Sequence, residues 1–120
     1  MTLRQQQSLF AVLVARLIQH AIDLGYEVTL GEALRSPEEA IRLAKLKKGI
    51  VNSVHCVKLA IDLNLFKGGK YLTSSEAHLP LGRWWTHQHN LCRWGGDFMD
   101  DKGRPKPDGN HYSLEYKGRK

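Results

Sequence analysis

A chain of 120 residues can bury one core without staples and is too short for two ordinary domains. Its apolar fraction of 42% argues against disorder, and two isolated cysteines, Cys56 and Cys92, argue against a disulfide scaffold. Eighteen Lys and Arg against 12 Asp and Glu leave a net charge of +6, which favours anionic partners: nucleic acid, an acidic wall polymer or a membrane surface.

The first predicted element is an amphipathic helix. Leu3, Phe10, Leu13, Val14, Leu17, Ile18, Ala21 and Leu24 recur at helical spacing, and Gly25 stands where a C-terminal cap belongs. The apolar run Leu9–Ala15 is followed at once by Arg16 and has neither a basic leader nor a cleavage site. It reads as neither a signal peptide nor a membrane span, so synthesis in the cytoplasm and no membrane insertion are expected. Tyr26, Val28 and Leu30 alternate with polar residues as a short strand. Ser36-Pro37-Glu38-Glu39 predicts a second helix, with Ser36 as N-cap and Glu39 completing a capping box, running to Lys47-Lys48 and stopping at Gly49.

A strand follows. Leu59, Ile61, Leu63 and Leu65 share one face, and Lys58, Ala60, Asp62 and Asn64 the other. Lys67-Gly-Gly-Lys70 turns the chain so that Tyr71-Leu72 pairs back. Thr73-Ser-Ser-Glu76 reads as another capping box, with Pro80 and Gly82 breaking or restarting its helix. Leu81, Trp84, Trp85 and Leu91 supply an apolar face. Arg93 to Pro107 reads as loop, and His111 to Tyr116 as a last strand with a basic tail. These elements predict one α+β domain over residues 1–120, a small antiparallel sheet packed by helices.

Candidate chemistry centres on His55, Asp62 and His111. Two neutral imidazoles and one carboxylate would leave a bound Zn²⁺ with residual positive charge and an open position, the donor set of a catalytic site. The seven-residue step from His55 to Asp62 tests the idea. On one straight strand an odd step places the two on opposite faces. On a helix about 10 Å of rise separates them. A shared ion therefore requires a bend between them, with His55 in a turn or bulge and Asp62 on the strand; Val54–Val57 are free to make it. Asp108 precedes His111 across Gly109-Asn110, a pair that favours a tight turn, and could act there as a general base. Spacing alone leaves the alternatives open: a histidine beside a strand is commonly a core or surface residue, and Asp-Gly-Asn an ordinary turn.

Ser53-x-His55-x₄-Ala60-x-Asp62-Leu63, followed by Asp108-x-x-His111, resembles the signature of the D-alanyl-D-alanine carboxypeptidase-like zinc peptidases. That family includes bacterial dipeptidases and carboxypeptidases and phage L-alanyl-D-glutamate endopeptidase endolysins. It shares its fold with the amino-terminal signalling domain of Hedgehog proteins. Leu59-Ala-Ile-Asp-Leu-Asn-Leu-Phe66, Gly69-Lys-Tyr71, Trp94-Gly-Gly-Asp-Phe98 and Arg35-Ser36-x-Glu38-Glu39 are similar to the phage branch, so the likeness runs from about residue 31 to 116. The resemblance implies that His55, Asp62 and His111 bind zinc and that Asp108 is the catalytic base. It implies that Arg35 holds substrate or the developing oxyanion and that Ser53 contacts substrate. It further implies peptidoglycan stem or cross-bridge peptides as substrate, a monomer, no specific nucleic-acid partner, and action on the bacterial wall after release from the host cytoplasm. Two departures stand out. Lys58 occupies a position where the family often has Gly, and Tyr112 one where Phe commonly follows the last histidine.

Competing readings are a metal-dependent nuclease, which needs a second carboxylate cluster, and a wall-binding module on the same fold, which would lose its base or ligands. His20, His78, His87 and His89 lack a ligand pattern. Cys56 is expected to point away from His55, and Trp84, Trp85 and Trp94 to belong to the core.

Overall fold

The computed structural model describes residues 1–45 and 53–120. In chain order these form helix α1 (Leu3–Asp23), strand β1 (Glu27–Leu30), helix α2 (Pro37–Lys45), a 3₁₀ turn (Val54–Val57), β2 (Ala60–Lys67) and β3 (Lys70–Leu72). A second 3₁₀ turn (Glu76–His78) leads into α3 (Leu79–Thr86), followed by β4 (Cys92–Trp94), a third 3₁₀ turn (Gly95–Asp97) and β5 (His111–Leu114). The architecture is α+β, as predicted, and the predicted end of α2 at Gly49 lies outside the described residues.

All strand pairings are antiparallel, and β2 is the spine. One edge of β2 pairs with β1 from Leu30↔Leu63 to Glu27↔Phe66. The other edge carries two strands end to end: β3 opposite residues 65–67 and β5 opposite residues 60–62. β4 closes the sheet beyond β5, with Cys92 opposite Leu114. The β2–β3 hairpin turns on Gly68 and Gly69, both at positive φ (58° and 77°), the backbone a two-residue turn of this hand demands.

Alternation along β2 and β5 sorts the two faces. Leu59, Ile61, Leu63 and Leu65 join Tyr112 and Leu114 in one hydrophobic cluster with Phe10, Leu13, Val14 and Leu17 of α1 and Leu81 and Trp85 of α3. Trp85, fully buried, meets Phe10 and Tyr112 edge-on at 6.0 and 6.1 Å between centroids. Its indole N–H is shared between the Arg93 and Ser113 carbonyls, at 3.0 and 3.2 Å. Asp62 and His111, on alternate positions, sit on the opposite face from this core. Trp94 is also buried, while Trp84 is half-buried and stacks on His20 at 4.5 Å.

Local signals are obeyed unevenly. Thr2 and Gln5 form a reciprocal capping box at the start of α1, and Gly25 takes φ +94° just past its end. At α2 only half of the expected box forms: Ser36 Oγ accepts from Glu39 N at 3.0 Å, but the Glu39 carboxylate turns to Arg42. The box expected at Thr73–Glu76 is replaced by a bond from Ala77 N to Ser74 Oγ at 3.2 Å, which starts a 3₁₀ turn. Pro80 fits the first turn of α3, and Gly82 leaves that helix unbroken. A Cβ at Gly82 would lie 2.1 Å from the Trp94 ring, so Gly82 serves close packing. The expectation of loop from Arg93 onward fails at its start, because Cys92–Trp94 pairs with β5 as β4. The short apolar alternation Cys92, Trp94 is too brief to read locally and is fixed by the partner strand.

His78 is buried with Nδ1 2.8 Å from the Tyr112 hydroxyl, and desolvation pushes its imidazolium down to about 4 from an ordinary value of 6.5. The folded state therefore keeps His78 neutral while the unfolded chain takes up a proton below about 6.5. Stability should fall as pH drops from about 6.5 to about 4, and His78→Gln should flatten that slope in urea titrations at pH 7 and 5. An equal pH slope in both proteins would contradict this role.

Candidate metal centre

The bend demanded by the spacing is present. Ser53 Oγ accepts from His55 N at 3.2 Å and starts the 3₁₀ turn Val54–Val57, which ends with Lys58 in the left-handed region (φ 58°, ψ 37°). That reversal lets β2 begin at Ala60, two residues later than the alternation from Lys58 predicts, and swings His55 over the Asp62 face. A left-handed residue is ordinarily Gly, because a Cβ there meets the following carbonyl oxygen. Lys58 therefore stands at a point of backbone strain, with its side chain exposed to solvent.

Asp62 and His111 are Cα partners directly opposite each other across β2 and β5. Asp62 Oδ1 lies 3.4 Å from His55 Nε2 and 3.6 Å from His111 Nδ1, and the two imidazoles meet edge to face at 5.1 Å. One ligand atom from each residue can be chosen so that all lie within 4.8 Å of one another. Two donors at about 2.0–2.1 Å from a tetrahedral ion stand roughly 3.4 Å apart, so this spacing suits a common metal. Asp62 Oδ1 is buried without a hydrogen-bond partner, an arrangement that is costly unless a cation satisfies it. Burial works to raise the Asp62 carboxyl, yet the His111 and His55 rings outweigh it and hold it down at about 2. The site is thus a carboxylate flanked by two imidazoles. Cys56, half-buried beside His55, is not part of it.

A wall that the sequence did not announce fixes these donors. The segment after β1 continues along β2: Gly31 N donates to Asp62 O at 2.7 Å, and Asp62 N to Glu32 O at 2.8 Å. A Cβ on Gly31 would lie 2.9 Å from that Asp62 oxygen. The Ala33 carbonyl lies 3.4 Å from His55 Nδ1; as acceptor it fixes the tautomer that leaves Nε2 free for a metal. Arg35 N donates to His55 O at 3.1 Å, and Arg35 Nε pairs with the Glu32 carboxylate. Arg35 thus stands beside His55, paired with Glu32, while Glu39 is engaged by Arg42.

Asp108 is held just as closely. Its N–H donates to Gly95 O at 2.8 Å, and its carbonyl accepts from His111 N at 3.0 Å. Trp94 Nε1 donates to Gly109 O at 2.7 Å, and Gly109 N to Ser75 Oγ at 2.9 Å. Phe98 packs on the His111 ring at 5.2 Å, and Arg83 ties Asp97 while lying 5.4 Å over the Trp94 ring. The Trp94-Gly-Gly-Asp-Phe98 run is therefore the brace of the Asp108–His111 turn. The Asp108 side chain is exposed at the rim, yet desolvation by the surrounding protein, helped by the Asp62 charge, pushes its carboxyl up. His111, His55 and Arg35 pull it the other way, which places all these groups within electrostatic reach of Asp108.

The structure brings His55, Asp62, His111, Asp108 and Arg35 into one region, with Ser53 buried beneath His55 as its turn cap. The fold is similar to that in the crystal structure of Serratia marcescens L-Ala D-Glu endopeptidase ChiX, with a TM-score of 0.66 and 20% sequence identity over 88% of this chain and 79% of that one. No protein-family model and no curated protein matches the chain.

Gly95 is the most exacting point of the brace, since a Cβ there would lie 1.9 Å from Asp108 O and 2.8 Å from His111 Cβ. Gly95→Ala should weaken the binding of a divalent metal ion at His55, Asp62 and His111 about 10–100-fold by displacing His111, measured by competition with a chromogenic chelator. Unchanged affinity would show that the turn does not position the ligand.

Proposed function

We propose that this chain is a zinc-dependent peptidase that hydrolyses peptide bonds in bacterial peptidoglycan, acting as a phage endolysin on the L-alanyl-D-glutamate bond. One observation carries the reading: the buried Asp62 oxygen lacks a donor and faces two imidazole nitrogens, while a separate carboxylate, Asp108, is braced beside them. The likeness in fold to an L-Ala D-Glu endopeptidase supports the choice of substrate. The +6 charge suits an anionic wall, and no described helix is long and apolar enough to cross a membrane.

His55 Nε2, Asp62 Oδ1 and His111 Nδ1 would hold the zinc. When bound, the ion supplies Lewis acidity and brings the pKa of a water towards about 7. Asp108 is the general base: its carboxylate takes the proton of the attacking water and, as the acid so formed, returns it to the leaving amine. A raised carboxyl suits that double role, because a base of higher pKa holds the transferred proton more readily. Arg35, held by Glu32, presents a permanent positive charge to the developing oxyanion or to a substrate carboxylate. Ser53 Oγ holds His55 in its turn, and the substrate contact that the resemblance implies for Ser53 remains part of the proposal.

Purified muropeptides digested with zinc-loaded protein and read by mass spectrometry test the proposal. Release of a D-glutamyl-led peptide from the L-alanine is the expected product. Loss of a terminal D-alanine alone would favour a D-alanyl-D-alanine carboxypeptidase or dipeptidase, and no cleavage would overturn the peptidase reading. Asp108→Asn should keep one zinc per chain while kcat falls about 10²–10⁴-fold. Near-normal turnover by that variant would remove Asp108 as the base.

A further inference from the structure

Between Phe98 and Lys106 the chain folds back on itself as a short two-stranded ribbon. Lys106 N donates to Phe98 O at 2.9 Å, Asp100 N donates to Arg104 O at 2.8 Å, and Met99 lies opposite Pro105 between these bonds. We propose that Lys106, carried on this ribbon, binds the free carboxylate of the residue that leaves with the new amine and thereby sets a preference for an acidic residue there. This role rests on the peptidase reading and adds to it a recognition residue on the His111 side of the site.

The register of the ribbon fixes where Lys106 points. Residues directly opposite across an antiparallel pair present their side chains on one face, as do residues two apart along a strand. Phe98, Asp100, Arg104 and Lys106 therefore share a face. Two contacts agree with this. Arg104 Nε donates to Asp100 Oδ2 at 2.9 Å. The Asp100 carboxyl, held below its ordinary value first by the Arg104 N–H, is also lowered by the Lys106 charge. Phe98 shows which way the face looks, because its ring packs on the His111 ring at 5.2 Å between centroids. Lys106 stands opposite Phe98, at a Cα separation of about 5.5 Å in such a pair, and its four-carbon stem is exposed. Its ammonium thus belongs to the rim beside His111, two residues before Asp108.

Charge accounting singles out Lys106 from its neighbours. Arg35, Arg83 and Arg104 each have a carboxylate partner, in Glu32, Asp97 and Asp100. Asp100 is further satisfied by the N–H groups of Lys102 and Arg104, both at 2.9 Å. Among the described residues Lys106 forms no ion pair. Two cations, Arg104 and Lys106, against one anion, Asp100, leave this face with a net positive charge.

Substrate chemistry supplies the need. A D-glutamyl residue has two carboxyls, and a peptide chain continues through only one of them, so the leaving fragment carries a free carboxylate near its new amine. Asp108 must reach that same amine to return a proton, and it is an anion when substrate arrives. Two like charges so placed oppose binding, and a cation on their side offsets the repulsion. Lysine suits the task, because its ammonium is a compact charge on a stem that can follow the carboxylate.

The test uses zinc-loaded full-length protein and two synthetic peptides that differ only in the leaving residue: D-glutamate with its free carboxylate, or the same residue with that group as an amide. The wild type should cleave the carboxylate peptide with about fivefold higher kcat/KM, the difference lying in KM. Lys106→Met should abolish the preference, Lys106→Glu should reverse it, and Lys106→Arg should retain it. Lys102→Met, in the turn at the tip of the ribbon, should also retain it. High salt should shrink the wild-type preference towards that of Lys106→Met. Equal cleavage of both peptides by the wild type, or a preference unchanged in Lys106→Met and Lys106→Glu, would overturn the Lys106 assignment alone. Failure of the wild type to cleave either peptide would overturn the peptidase reading together with it.

Discussion

The antiparallel register that sets Asp62 opposite His111 is the constraint on which the rest depends. Side chains alternate with period two along a strand, so a slip of one residue between β2 and β5 would turn one of the pair into the hydrophobic core. The same register buries Ile61 against Tyr112 on the other face. Core packing and metal-donor geometry are thus two readings of one alignment. The apolar face enforces the alignment, and the polar face uses it.

His55 and Asp108 are attached to this pair by backbone bonds more than by side chains. His55 arrives by a one-turn 3₁₀ element whose exit requires a left-handed residue, and its carbonyl and ring are both gripped by the Ala33–Arg35 segment. Asp108 hangs from Gly95 by its N–H, and the next residue, Gly109, is held by Trp94 and Ser75. In each case polar atoms of a neighbouring loop fix the backbone that carries the candidate site residue, the kind of outer support that metal ligation requires.

Much of this was legible in the sequence because it is periodic or geometric. The β2 alternation separated core from site residues, and the seven-residue step from His55 to Asp62 demanded a bend before the strand. The Gly68-Gly69 hairpin followed from turn chemistry. Other parts were illegible for a physical reason: they are long-range backbone contacts, which leave no period and need no special residue type. Glu32 and Ala33 contribute carbonyls that any residue could supply. Ser75 looked like part of a helix cap and instead bonds Gly109, 34 residues away. β4 is three residues long and exists because β5 lies beside it. Gly82 carried the opposite message from its real one, since glycine in a helix reads as a breaker while here it admits the Trp94 ring.

The most direct test of the metal centre is anomalous diffraction at the zinc edge from crystals grown with Zn²⁺. A single strong peak is expected within about 2.0–2.2 Å of His55 Nε2, Asp62 Oδ1 and His111 Nδ1. A peak held by other residues, or none at these three at saturating zinc, would contradict the assignment.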